Sequence, residues 1–227
     1  MSFRFTLICG FFLFCSAHGF AQNATALLQT VKKKIDRVDD YMATGIMKTD
    51  IVFIKTPVSR IRTYFKRPDQ FLIKRDGGLS LLPKKGIAIN VNSIIPANGY
   101  TVIDVGTVVL WGTQLRMVKL LPTDENSDMV LSTLYIDEKQ LLIRKVTTTT
   151  RENGTYEIEM HYGKYSEWGL PDKALFLFNT KDYKLPKGIT FEYDDGSVKK
   201  ELPKNKKGRI EIVYNSYIIN KGAGKLP

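Results

Sequence analysis

Cysteine and histidine are scarce in this chain of 227 residues, which contains two of each. Both cysteines, Cys9 and Cys15, and His18 lie within the first 20 residues, so His161 is the only one of these residues in the remainder. The remainder therefore has no disulfide framework, no thiol nucleophile and no Cys/His zinc site. We expect neither a metal nor another cofactor.

The first 20 residues differ in composition from the rest and hold six of the twelve phenylalanines. Arg4 precedes an apolar run over residues 5–14, and small residues follow around Ala21, as in a secretory signal peptide. The run is too short for a transmembrane helix, which needs about 20 apolar residues. We expect residues 1–21 to be a cleaved signal and residues 22–227 to form one exported domain.

Acylation at Cys9 or Cys15 is the alternative outcome of export. The lipoprotein route requires small residues just before the modified cysteine, whereas Ile8 and Phe14 occupy those positions. The sequence therefore favours a protein without a lipid anchor.

Basic residues outnumber acidic ones by 34 to 23, giving a net charge of +11. The lysine clusters are scattered along the chain rather than concentrated in one motif. Because an exported protein rarely meets nucleic acid, we expect no nucleic-acid partner. The clusters indicate solvated faces or, alternatively, contact with an anionic membrane surface.

One helix and a series of strands are predicted. Apolar residues recur every three or four positions from Leu27 to Met42, which predicts an amphipathic helix. Residues 170–186 could include a strand buried on both faces. The other predicted strands are 45–55, 58–66, 70–75, 107–119, 129–137, 141–151, 155–168, 189–193 and 209–219. Short turns such as Asn153-Gly154 make neighbouring strands antiparallel.

Catalytic candidates are few. Tyr156, Ile158 and Met160 share one face of a strand, so His161 lies on the polar face and makes a poor general base. The acidic pairs Glu157/Glu159 and Asp194/Asp195 resemble glycosidase carboxylates only superficially, because neither pair is placed to flank a substrate. We therefore expect that the protein is not an enzyme.

Three segments resemble the periplasmic outer-membrane lipoprotein carriers of the LolA/LolB group. The first is Lys66-Arg67-Pro68-Asp69-Gln70-Phe71, similar to that group's "KRPxxF" element. The second is the hairpin around residues 134–145 with a later Leu-Pro, and the third is the closing strand from Gly208 to Asn220. The resemblance implies a mainly β (α+β) fold: a single strongly curved antiparallel sheet, or incomplete β-barrel, with the N-terminal helix and short lid elements on its concave face.

The resemblance also implies a cavity for acyl chains and a switch at its lid. Arg67 matches the arginine that holds the lid shut through hydrogen bonds to backbone, although a solvated arginine beside a turn is the simpler interpretation. The residues that we expect to line the cavity, or alternatively to fill a solid core, are Ile51, Phe53, Ile61, Phe65, Phe71, Trp111, Leu115, Met117, Tyr156, Ile158 and Met160.

The function that this resemblance implies is a monomeric periplasmic carrier. It would bind the acyl chains of lipoproteins, or a related lipid, for transport towards the outer membrane. Its partners would be the lipid or lipoprotein, an inner-membrane donor complex and an outer-membrane acceptor. The alternative is a non-catalytic envelope interaction or sensor module on the same fold.

Overall fold

The computed structural model describes residues 19–51, 54–55, 58–68, 70–76, 94–152, 154–179 and 207–222. Within these segments one helix precedes eleven strands. The elements are α1 (Gly19–Ile35), β1 (Asp40–Ile51), β2 (Ile54–Lys55), β3 (Ser59–Lys66), β4 (Gln70–Arg75), β5 (Tyr100–Leu110), β6 (Thr113–Pro122), β7 (Met129–Asp137), β8 (Leu142–Thr150), β9 (Gly154–His161), β10 (Lys173–Asn179) and β11 (Lys207–Ile219). A 3-10 helix at Ser166–Trp168 separates β9 from β10.

The strands form one antiparallel sheet in the order β4-β3-β1-β11-β10-β9-β8-β7-β6-β5, with β2 beside the end of β1. The two outer strands of this order, β4 and β5, do not pair with each other, so the sheet is a barrel that does not close. The expected fold class, a curved antiparallel sheet with an N-terminal helix, is confirmed.

One face of the sheet, the inner face, carries the hydrophobic core. Alternate residues of β9 show the pattern clearly, because Tyr156, Ile158 and Met160 are buried while the residues between them are not. Helix α1 contributes Leu28, Val31 and other apolar side chains to the same core. Burial of each such side chain stabilises the fold by about 1.5–3 kcal/mol.

Helix α1 ends at Ile35, seven residues before the end of the predicted apolar stripe. Val38 is fully buried but lies in the link after the helix, and Met42 is already part of β1. From Asp40 onward the backbone pairs with both β3 and β11. These sheet hydrogen bonds override a helical pattern that the side chains alone would allow.

The predicted strand over residues 107–119 is divided by a tight turn at Trp111 and Gly112, where both residues have positive φ. The chain makes a hairpin there, and β5 starts at Tyr100, before the predicted strand. The predicted strand over 155–168 ends at His161. The predicted strand at 189–193 lies outside the described residues.

The possible strand within residues 170–186 is present as β10. Its residues Ala174, Leu175 and Phe176 are buried in succession, so both faces of this strand are covered. Phe176 packs in the inner-face core, whereas Leu175 lies on the other side, the outer face, opposite Glu159 and Glu211.

Candidate functional site

The inner face brings together residues from both halves of the sheet. Ile61 and Phe65 of β3 are buried at 2% and 0% exposure, and Phe71 of β4 packs beside them. Tyr156, Ile158 and Met160 of β9 lie on the same face, in the same core. Six of the predicted lining residues therefore form part of one apolar surface. Whether they line a cavity stays a prediction.

The remaining lining candidates do not join this surface. Ile51 ends β1 and its side chain lies outside the described part, as does all of Phe53. Trp111 is in the β5–β6 turn with 58% of its surface exposed. Leu115 and Met117 lie on the outer face. They alternate along β6 with Val118, which belongs to the inner-face core, and they pair with Val108 and Gly106 across the turn.

The cause of this inversion is the tight turn at Trp111 and Gly112. Leu110 pairs with Thr113 across it, so odd-numbered residues of β5 next to the turn share a face with even-numbered residues of β6. An alternation pattern continued through residues 107–119 cannot include this change. A separate β-bulge shifts the register of β5 against β6 between Asp104 and Gly106, and beside it lies a polar pair on the inner face that the sequence analysis missed.

That pair is Asp104 and Arg116. The Arg116 Nη2 lies 2.6 Å from Asp104 Oδ2, and the two side chains are only 13% and 6% exposed. Their cross-strand neighbours on the inner face are the fully buried Val118 and Ile136. Asp104, the one charged residue of β5, was the available signal in the sequence.

An aromatic cluster lies on the inner face close to the end of α1. Tyr217 is at its centre, with ring centroids 5.3 Å from Tyr41, 5.0 Å from Tyr214 and 4.8 Å from Tyr165. Its hydroxyl donates a hydrogen bond to the carbonyl of Pro171 at 2.8 Å. Burial raises the pKa of the Tyr41, Tyr214 and Tyr217 hydroxyls, because the charged phenolate is poorly solvated there.

Arg67 contacts backbone, but at the C-terminal side of α1. Its Nη1 donates to the carbonyl oxygen of Asp36 at 2.6 Å and lies 3.9 Å from the Asp36 carboxylate. Its backbone N–H also donates to the Asp39 carbonyl. In the described residues Arg67 thus links the β3–β4 turn to the segment that follows α1. Its role as a lid switch stays a prediction.

Asn220 secures the same segment from the opposite side. Its side-chain oxygen accepts hydrogen bonds from the backbone N–H groups of Asp39 and Asp40, and its amide donates to the carbonyl of Arg37. The backbone N–H of Asn220 donates to the Asp40 carbonyl. Arg67 and Asn220 together fix how α1 enters the sheet.

The catalytic candidates remain dispersed. His161 is exposed on the outer face, where its ring lies 6.1 Å from that of Trp111. Glu157 pairs with Lys145, and Asp194 and Asp195 lie outside the described residues. In the part of the chain that the structure describes, no three His, Cys, Asp or Glu side chains are grouped to hold a metal ion. No described helix has the length and apolar character of a membrane span.

Comparisons with known proteins place the fold. No family model matches the sequence, and no curated protein matches it significantly. A solved outer-membrane lipoprotein-sorting protein domain from Vibrio parahaemolyticus aligns with 90% of this chain and 95% of its own, at a TM-score of 0.58 and 10% identity. A DUF1329 family protein from Desulfovibrio piger has the same coverage and identity, at a TM-score of 0.53.

A LolA superfamily protein from Nitrosomonas europaea aligns with 84% of this chain and 92% of its own, at a TM-score of 0.49 and 9% identity. The first two structures, with TM-scores above 0.5, confirm at the level of the fold the resemblance to outer-membrane lipoprotein-sorting proteins that the sequence motifs indicated.

Proposed function

We propose, on the premise that this chain has the fold of lipoprotein-sorting domains, that it is a periplasmic carrier for acyl chains. The inner face would hold the acyl chains of a lipoprotein or a related lipid and carry them towards the outer membrane. The observation that carries the proposal is the combination of this fold with an apolar inner face covered by α1.

The energetics suit a carrier. Each methylene group transferred from water to an apolar surface contributes about 0.8 kcal/mol, so a single long acyl chain provides ample binding free energy without covalent chemistry. The protein would act as a non-catalytic monomer, exported by residues 1–21. Its partners would be an inner-membrane donor and an outer-membrane acceptor, between which it passes the bound lipid.

The first experiment is native mass spectrometry of residues 22–227 purified from the periplasm without detergent. A co-purified lipid or acylated peptide, identified after extraction, is the expected result. A protein without ligand that also fails to displace a fluorescent fatty-acid probe would contradict the proposal.

Arg67 provides a second test. Replacing it by leucine removes the hydrogen bond to the Asp36 carbonyl, which contributes about 1 kcal/mol, and loosens the end of α1. We expect roughly fivefold faster release of a fluorescent fatty acid in stopped-flow measurements. Arg62→Leu is the matched control, because Arg62 lies in β3, the strand that leads to Arg67, is exposed, and forms a 3.4 Å ion pair with Asp76. Equal off-rates for Arg67→Leu and wild type would remove Arg67 from the mechanism.

One observation favours the second candidate, an envelope interaction module. Apart from the partly buried Ile219, the inner-face side chains of β9 and β11 are 1–9% exposed, as in a filled core. If the interior is filled, the protein would function through its outer surface, and the mass spectrometry experiment above distinguishes the two cases.

A further inference from the structure

The Asp104–Arg116 pair is unusual in position, because it is a charged pair on the apolar inner face. Two-residue alternation along β6 puts Arg116 on the face of Val118 and Gln114, and the register places it opposite the fully buried Ile136. Ion pairs are costly to bury, so stability alone is a weak explanation for a pair at this position.

The hydrogen bonds of the pair leave the Nε–H of Arg116 unused. Asp104 accepts from Arg116 Nη2 through one oxygen and from the backbone N–H of Gly106 through the other, at 2.6 and 2.9 Å. The Nε of Arg116 is buried and has no hydrogen-bond partner among the described residues. A buried N–H group without an acceptor is unfavourable. An oxygen acceptor at this point would remove that penalty.

The pair also lies at a boundary between the apolar interior and solvent. On one side are Val118 and Ile136, both at 0% exposure. On the other side, along the same face, are Gln114, which is exposed, and its cross-strand partner Val109, which is 67% exposed. An amphiphile with its chain inside and its polar end at this boundary would place an oxygen beside Arg116.

We propose that Arg116, held by Asp104, binds the carbonyl oxygen of an acyl chain. The inference rests on the proposed carrier function and specifies its ligand class as acyl esters and acids rather than apolar chains in general. Asp104 neutralises the guanidinium charge, so the site does not require an anion, and a neutral ester carbonyl can accept the free N–H.

The test compares two lipids that differ only in this carbonyl. Monomyristoylglycerol carries an acyl ester, and its ether analogue tetradecylglycerol has the same chain length and head group without the carbonyl. Both are titrated against the protein loaded with dansylated undecanoic acid. We expect wild type to bind the ester about tenfold more tightly, a ratio that corresponds to about 1.4 kcal/mol.

Two variants test whether the preference for the ester over the ether depends on Arg116. Arg116→Lys keeps a cation for Asp104 but lacks the Nε–H, and Asp104→Asn/Arg116→Met removes both charges while keeping an acceptor for Gly106. Both should bind the two lipids with equal affinity. Arg144→Lys is the matched control, because Arg144 forms a similar pair with Asp137 at the β7–β8 turn. It should keep the tenfold preference.

The outcomes distinguish failure of the Arg116 site from failure of the carrier function. Equal binding of ester and ether by wild type would overturn the role of Arg116 and leave the carrier function standing. Retention of the ester preference in both Arg116 variants would likewise overturn the role of Arg116. Failure of wild type to bind either lipid would refute the carrier function itself, and the proposed Arg116 site with it.

Discussion

Asn220 allows a quantitative test of how α1 is attached to the sheet. Its side chain makes two hydrogen bonds of 2.8 Å to the backbone that follows α1, at Asp39 N–H and the Arg37 carbonyl. At an exposed site each contributes about 0.5–1 kcal/mol. Asn220 also has a φ of 53°, a conformation that costs alanine about 1 kcal/mol more than asparagine or glycine.

Two substitutions separate these contributions. Asn220→Ala loses the hydrogen bonds and adds backbone strain, so we expect a loss of about 2–3 kcal/mol in the free energy of unfolding. Asn220→Gly loses the same hydrogen bonds but accepts the positive φ, so its loss should be about 1–2 kcal/mol. Lys221→Ala, at the exposed next residue, is the control and should change stability by less than about 0.5 kcal/mol.

The assay is urea unfolding followed by tryptophan fluorescence and circular dichroism. Variants are compared when their m-values, the dependence of the unfolding free energy on urea concentration, are equal. The order of midpoints should be wild type, then glycine, then alanine. A glycine variant as stable as wild type would show that the hydrogen bonds contribute nothing. Equal midpoints for the glycine and alanine variants would show that the positive φ carries no cost.

Two further predictions concern the core. Gly45→Ala would place a Cβ 2.5 Å from the carbonyl oxygen of Val213 at the β1–β11 bulge, so we expect a loss of about 2–3 kcal/mol by urea unfolding, against less than about 1 kcal/mol for the half-exposed Ile46→Ala. Ionisation of buried tyrosines should destabilise the fold at high pH. Burial raises the pKa of Tyr41, Tyr214 and Tyr217 above the value of 10.0 that applies to the unfolded chain. Their contribution is therefore complete below pH 10 and decreases above it, by about 1.4 kcal/mol per pH unit for each tyrosine. Phenolate absorbance should rise together with unfolding; a rise for these groups in the folded protein near pH 10 would contradict the assignment.

The sequence was most informative where a strand has one buried face and no irregularity. The alternation of β9 identified Tyr156, Ile158 and Met160 as inward residues, and the short turn before Gly154 identified the β8–β9 hairpin. In such a strand the two-residue period follows directly from the pleat, and a single buried face determines the register.

The assignment of side chains to the inner or outer face failed where a local backbone feature changes the alternation. The bulge between Asp104 and Gly106 and the turn at Trp111 and Gly112 are both backbone events, and neither is specified by hydrophobicity. The Asp104–Arg116 pair could not be predicted either, since the contact depends on how β5 and β6 pair across the turn. The early end of α1 depends on pairing of β1 with β11, a partner about 170 residues away in the chain.

The position of β11 has a consequence for the order of folding. The first four strands and the strands β5 to β10 form two consecutive antiparallel series, and β11 is the strand that joins them by pairing with β1 on one side and β10 on the other. Until β11 has been synthesised, the two series share no continuous hydrogen-bonded sheet. This pairing joins residues that are far apart in the chain, so we expect β11 to enter the sheet late in folding. A chain truncated before residue 207 would leave the edges of β1 and β10 unpaired and prone to aggregation.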